Sequence, residues 1–255
     1  MRMLVIGVFC EKKNVRITFE ECQKCAKCLP ATIIKTLRIF ERHTKQRNSY
    51  SVSEVVNCLR KSYFERKEPL QDQFYTLKSL LSMTRGKLFE GLLDSTRWQE
   101  LDGSLEFDID GENVKIMGRI DAYDPDKLEI IELKSTKISD HTRLPRAKNE
   151  LQLQCYGTIF KSIFGVKELT LVYVDMDVFE KYPVPLVDKT DWLKEQIQIL
   201  HRAIRDSKSP NEEQSFECKF CPYNSKCSGL KQTVGYSQQI MLKNKLEYKS
   251  QNVKN

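Results

Sequence analysis

Two carboxylates and a lysine, Asp121, Glu132 and Lys134, lie close together in the segment GRIDAYDPDKLEIIELKST. Paired carboxylates are a hard oxygen donor set of the kind that magnesium and manganese prefer. A cation held there neutralises phosphate charge and activates water, so these residue types support phosphodiester hydrolysis. Asp121 ends one apolar run and Glu132 lies near the end of the next, and a hairpin brings both to one metal. Strand alternation puts Glu132 and Lys134 on the same side. From there Lys134 orients or deprotonates the attacking water and offsets charge on the phosphate. The competing reading is a surface salt bridge on an exposed strand, and Glu-x-Lys alone favours it. Downstream, Gln152 and Tyr156 are spaced to share one face of a helix. There they contact a DNA backbone or position the lysine, and a half-buried aromatic is the plain alternative for Tyr156.

Cysteine is the second chemical signal. The chain has nine, at 10, 22, 25, 28, 58, 155, 218, 221 and 227. A secreted disulfide scaffold would be shorter and carry a signal peptide, so the paired CxxC spacings point to metal. Cys10, Cys22, Cys25 and Cys28 have the spacing of a zinc knuckle or ribbon, two short loops supplying four thiolates to one tetrahedral ion. Free surface thiols and a second iron–sulfur site are the alternatives. Cys58 stands alone, far from the run CKFCPYNSKC that holds Cys218, Cys221 and Cys227. Cys155 lies in an apolar helical pattern and reads as a small core residue.

Several elements must position these groups. MRMLVIGVF reads as a strand rather than a leader, since no small-residue cleavage site follows it. ATIIKTLRIF has helical spacing. Ser51 and Glu54 have capping-box spacing and open a helix over SVSEVVNCLRKSYFERK that presents Val55, Cys58 and Leu59 on one face. Residues 74–94 read as one or two helices with Gly86 as a close-packing point. SLEFDI and VKIMGRIDAY flank Asp110-Gly111, a strong hairpin signal, and DPDK leads to a third strand, LEIIELK. A helix then runs to Gly165, followed by a hairpin of ELTLVYVDM and VFEKYPVPL and an amphipathic helix, DWLKEQIQILHRAIRDSK. No internal repeat is visible. The fold class expected is α/β, with an α+β mixed sheet. The expected division is a cysteine-rich unit over 1–45, a main domain over 46–230 and a basic, mobile tail over 231–255.

Bulk properties set the frame. At 255 residues, 40% hydrophobic and 30% charged, the chain buries a full core. No stretch approaches the roughly 18 apolar residues of a membrane span. A soluble, cytoplasmic protein with no membrane partner is the default. The net charge of +7 suits a polyanionic partner, and the sequence leaves room for an oligomer.

In order along the chain, Cys58, GRID, IELKS, QLQCY and CKFCPYNSKC resemble the RecB-type PD-(D/E)xK nucleases with an iron–sulfur clasp. The nearest resemblance is to the CRISPR-associated RecB-like exonucleases, the Cas-four type, over about residues 50–230. It implies a restriction-endonuclease-like core with a helical N-terminal part and a C-terminal clasp. It implies a 4Fe–4S cluster on Cys58, Cys218, Cys221 and Cys227. Magnesium or manganese is implied at Asp121, Glu132 and the Leu133 carbonyl, with Lys134 catalytic. The partners implied are DNA, single-stranded or with free ends, and CRISPR integrase proteins. One departure matters. The family carries a metal-binding His shortly after a glycine in its first motif, and RGKLFEGLL has Glu90 there. None of His43, His141 or His201 fits that position, and Glu90 still offers oxygen to magnesium.

Two readings compete. One is an active exonuclease, favoured by Asp121, Glu132, Lys134, Gln152 and Tyr156. The other is a nuclease fold with weakened chemistry that binds DNA or a partner, favoured by Glu90. An electron-transfer role for the cluster ranks below both.

Overall fold

The computed structural model describes residues 3–10, 12–36, 41–42, 46–69, 73–93, 98–136, 146–175, 178–215, 217–218 and 221–227. His43, His141 and the tail expected over 231–255 lie outside them.

Asp110 and Gly111 both take positive φ, 56° and 80°, the backbone that a tight hairpin requires. This turn organises the main sheet. Glycine has no Cβ to resist the conformation, and Asp110 is among the side chains that tolerate it. Asp110 also accepts from Arg202 and Arg205, which hold its carboxyl well below the usual range.

The chain opens with β1 (Met3–Cys10), β2 (Val15–Thr18), α1 (Phe19–Cys25), α2 (Ala31–Thr36) and β3 (Glu41–Arg42). Thr18 and Glu21 form a reciprocal capping box at the start of α1. β1 pairs antiparallel with β2 and β3, and parallel with β5 (Gln73–Thr76). Gly7 is required in β1, because a Cβ there would fall 2.1 Å from the Ile17 carbonyl oxygen. Val8, Phe19, Ile34 and Leu80 form a small core under this sheet. The unit expected over 1–45 therefore draws in β5 and α5 (Leu77–Glu90), some thirty residues further along. Residues 74–76, expected to be helical, are strand. Gly86 is not a close-packing point, since a Cβ there would meet nothing within 4 Å.

The larger sheet has six strands. β4 (Ser49–Ser51), β6 (Gln99–Ile109), β7 (Glu112–Asp124), β8 (Glu129–Ser135), β9 (Glu168–Val174) and β10 (Phe179–Val184) make it. β6 and β7 are the hairpin around Asp110-Gly111, and β6 begins before the expected Ser104. β4 runs parallel to β7 at Lys115–Met117, while β8 pairs antiparallel with β7 only over Ala122–Asp124. β8 is parallel to β9 along its whole length, and β9–β10 is the expected second hairpin.

Ser51 and Glu54 do open a helix, with Glu54 Oε2 accepting from the Ser51 N–H at 2.9 Å. The continuous helix expected there is instead two: α3 (Val52–Val56) and α4 (Leu59–Lys67). Asn57 ends α3 in an extended conformation, and its side chain donates back to the Ser53 carbonyl. Cys58 sits at the break.

α6 (Ala147–Phe164) ends at Gly165, whose φ of 66° is the left-handed cap expected of a glycine there. α7 (Thr190–Arg205) buries Leu193, Ile197, Leu200 and Ala203 as one face. These faces close a continuous core with Ile116, Ile120, Ile130, Leu171 and Tyr173. Cys155 belongs to it, its thiol pushed up to about 12 by burial. The fold is α/β with a mixed sheet, as expected. Among the described residues, no helix is long and apolar enough to cross a membrane.

Candidate active site

Asp121 lies on β7 one residue before the last described pair with β8, Ala122–Ile131. Beyond that pair the β7–β8 ladder stops, and β8 continues alongside β9 alone. The Asp121 carboxylate takes over as acceptor, with Oδ2 2.8 Å from the Leu133 N–H. Glu132 and Lys134 follow on one side of β8, and Lys134 Nζ donates to Glu132 Oε1 at 2.5 Å. The end of a strand pair thus gathers two carboxylates and an ammonium.

Burial sets the electrostatics. Glu132 is 3% exposed. Burial pushes its carboxyl up to about 7, with Lys134 opposing and Asp121 adding to the rise. Burial also raises Asp121, against the Leu133 N–H and Lys134, which pull it down. Burial pulls the Lys134 ammonium down, but Glu132, its hydrogen bond and Asp121 outweigh that and leave it raised. Lys134 therefore keeps its proton at neutral pH. It stands as a charge and a hydrogen-bond donor to Glu132.

Glu132 Oε2 is buried and, among the described residues, has no hydrogen-bond partner. An orphaned carboxylate oxygen is costly unless something cationic meets it. Among the described residues, no group of three or more His, Cys, Asp or Glu side chains is arranged to hold an ion. Magnesium needs less, since it binds through one or two carboxylates and fills its shell with water and substrate phosphate. Asp121 and Glu132, with the orphaned oxygen, fit that requirement.

Glu90 ends α5 and raises the pKa of both Asp121 and Glu132, so it lies within electrostatic reach. Its Oε2 accepts from Lys87 at 2.7 Å. On α6, Gln152 Nε2 donates to the Tyr156 oxygen at 2.7 Å. Burial, and then Glu132, raise Tyr156 and keep it protonated. Gly118 of the GRID run makes room for it, since a Cβ there would stand 3.0 Å from the Tyr156 ring.

The site has further neighbours that sequence reasoning missed. Lys87 lowers the Asp121 carboxyl. Tyr173 lies opposite Lys134 in register, and its oxygen accepts from the Arg146 N–H and from Asn149, which fixes the start of α6. Lys87 was findable, because it precedes Glu90 by one helical turn. Tyr173 was not, because its register depends on a parallel pairing across α6.

The clasp cysteines meet elsewhere. Cys58, Cys218, Cys221 and Cys227 all line one cavity of about 320 Å³ beside α4. Backbone hydrogen bonds link the Cys221 N–H to the Cys218 carbonyl, Asn224 to Cys221 and Cys227 to Asn224. Tyr223 stacks on Phe64, and Arg60 donates to the carbonyls of Pro210 and Lys226. In the N-terminal unit, burial raises the Cys22 thiol and Cys10, Cys28 and Cys25 add to it, so the four are neighbours.

A family model for the PD-(D/E)XK nuclease superfamily matches residues 36–228. The chain belongs to that superfamily. Nuclease superfamily membership covers every element that builds the Asp121–Lys134 site, and it makes a hydrolase the expected class. A solved structure described as "Crystal structure of SSO0001" is 22% identical, covers 73% of this chain and 89% of its own, and superposes with a TM-score of 0.55. At that identity it shows a shared fold alone. No curated relative matches the sequence.

The raised Glu132 carboxyl has a measurable consequence. Its folded pKa of about 7 exceeds the ordinary 4.5, so between those values the folded state binds more protons than the unfolded state. Stability therefore falls as pH rises through this window, by on the order of 3 kcal/mol once complete. Without divalent cation, Glu132→Gln should be more stable than wild type at pH 8, by about 1–3 kcal/mol, and show little gain near pH 4. Denaturant unfolding at both values checks this, and a difference independent of pH contradicts it.

Proposed function

We propose that this chain is a metal-dependent exodeoxyribonuclease that trims single strands or free DNA ends. The orphaned Glu132 oxygen beside Asp121 and Lys134 carries the reading. When bound, magnesium or manganese supplies Lewis acidity toward the scissile phosphate and lowers the pKa of the attacking water. Asp121 and Glu132, with the Leu133 carbonyl, would hold the cation, and Glu90, within electrostatic reach of both carboxylates, would add a further oxygen. Lys134 donates to the water and to the developing phosphate charge. Tyr156, held by Gln152, offers its hydroxyl to the strand being cut. A linear end-labelled single strand should be degraded, while a closed circle of the same length should survive. Equal cutting of both would make the enzyme an endonuclease.

A 4Fe–4S cluster on Cys58, Cys218, Cys221 and Cys227 fits the shared cavity and serves as a staple rather than as a reactant. The family resemblance supports DNA processing for CRISPR spacer acquisition alongside integrase proteins, with end processing in repair as the same chemistry in another setting. A zinc ion on Cys10, Cys22, Cys25 and Cys28 would reinforce an N-terminal core that, among the described residues, centres on four buried side chains. Metal analysis of the full chain should show one zinc lost in Cys22→Ser. An unchanged zinc content contradicts the site.

A second reading keeps the fold and loses the chemistry. The Lys87–Glu90 contact favours it, because a carboxylate already paired with an ammonium is a poorer cation ligand than a neutral imidazole. On that reading the protein binds DNA and does not cut it.

A further inference from the structure

A second cavity of about 320 Å³ lies where β7 begins, at Glu112. Glu112 and Asp121 are nine positions apart on that strand, about 30 Å along an extended chain. The cavity is therefore remote from the metal site and shares none of its residues.

Four cationic side chains, Arg47, Arg66, Lys67 and Arg205, line it against one carboxylate, Glu112. Arg66 is committed to Glu54, and Arg205 to Asp110 and Asp206. Lys67 donates to the Ser207 hydroxyl. Arg47 is exposed and, among the described residues, has no ion-pair partner.

His201 forms part of the wall. It is 4% exposed, and its Nε2 is buried without a hydrogen-bond partner. Its Nδ1 lies 3.0 Å from the Tyr50 hydroxyl. Burial raises the Tyr50 phenol to about 12, so it remains a donor. Where Tyr50 donates to Nδ1, a neutral imidazole carries its proton on Nε2. Glu112 Oε2 lies 3.6 Å from Nε2, beyond hydrogen-bond range, and that oxygen already accepts from Asn48 at 2.9 Å. A buried N–H donor without an acceptor costs free energy unless a ligand supplies one.

We propose that this cavity is a second phosphate-binding site, in which His201 Nε2 and Arg47 donate to one tetrahedral oxyanion and Lys67 adds charge beside them. Phosphate fits the chemistry, because it accepts from several directions at once and carries charge to match Arg47 and Lys67. The phosphate comes from a nucleic-acid strand or from free phosphate, and both sources present the same oxygens. The inference is independent of cleavage, so it stands or falls apart from the metal site.

The test uses the full chain as isolated, ¹⁵N-labelled at histidine, without added divalent cation. The probes are inorganic phosphate and a single-stranded oligonucleotide carrying either a 5′-phosphate or a 5′-hydroxyl. The His201 Nε2 resonance, assigned by its loss in His201→Gln, should shift saturably. Arg47→Gln, at an exposed position, should raise the half-saturating concentration about fivefold or more while leaving the melting temperature unchanged. Lys67→Gln should act in the same direction. A shift with both oligonucleotides identifies backbone phosphate, and a shift only with the 5′-phosphorylated oligonucleotide and inorganic phosphate identifies a terminal or free group. Either supports the site. No shift with any probe overturns it, as does a shift that neither Arg47→Gln nor Lys67→Gln weakens.

Discussion

Asp121→Asn should lower DNA cleavage by about a thousandfold or more and weaken cation binding with it. Asp121 is one of two carboxylates at the point where β7 and β8 part, and the substitution halves the charge available to a cation. Asparagine keeps the size of the side chain and an acceptor for the Leu133 N–H, so the fold should survive. Lys134→Ala separates the roles. Its ammonium contacts Glu132 and offsets charge at the site, so turnover should fall by about 10²- to 10⁴-fold. DNA binding should change little, because it is spread over many basic residues in a chain of net charge +7. Cation affinity should rise slightly, since Lys134 no longer competes for Glu132. A Lys134→Ala enzyme that cleaves at the wild-type rate would remove the lysine from the mechanism.

On the proposed cluster assignment, the purified wild-type protein should be brown, and Cys58→Ala should bleach it and destabilise it by about 2–5 kcal/mol. Cys58 and Cys218 are 160 positions apart, and a cluster joining them closes most of the main domain into one loop. A cross-link of that length restricts the unfolded chain by on the order of 5 kcal/mol on an entropy estimate, before any strain is subtracted. Alanine itself costs little there, because the Cys58 side chain makes no capping hydrogen bond to α4. Cleavage should fall as well. Lys148 on α6 pairs with Glu217 of the clasp, so loosening the clasp removes one exposed tie to the helix that carries Gln152 and Tyr156, and the fall should be modest. Cys155→Ala provides the control: it opens a small cavity in the core and should leave the colour intact. A Cys58→Ala protein with a full cluster would take Cys58 out of the ligand set.

Local signals in the sequence proved the most readable. Asp110-Gly111 demands positive φ at two consecutive residues, so a hairpin was legible, and alternation then set Glu132 and Lys134 on one side. Gly165 marked the end of α6 for the same steric reason. The break at Asn57 was hidden, because Val55, Cys58 and Leu59 also suit one face of an unbroken helix. What breaks it is a side chain bonding back to the Ser53 carbonyl. The parallel pairing of β5 with β1 joins segments more than sixty residues apart, and no local pattern encodes it. Gly86 illustrates the reverse error: glycine in a helix suggested close packing, and the space around it is open. At the site, the motif residues were found in sequence. The peeling of β8 from β7, which leaves Asp121 to bond the Leu133 N–H, emerged only from the sheet register.

The central claim is that Asp121 and Glu132 hold a cation that drives phosphodiester hydrolysis. The direct measurement is single-turnover cleavage of end-labelled single-stranded DNA by the full chain, with magnesium, with manganese and with chelator, alongside Glu132→Gln. The account predicts cleavage with either metal, none with chelator and none with Glu132→Gln, while all of these samples bind DNA. Binding by the wild-type chain without cleavage under either metal would contradict it.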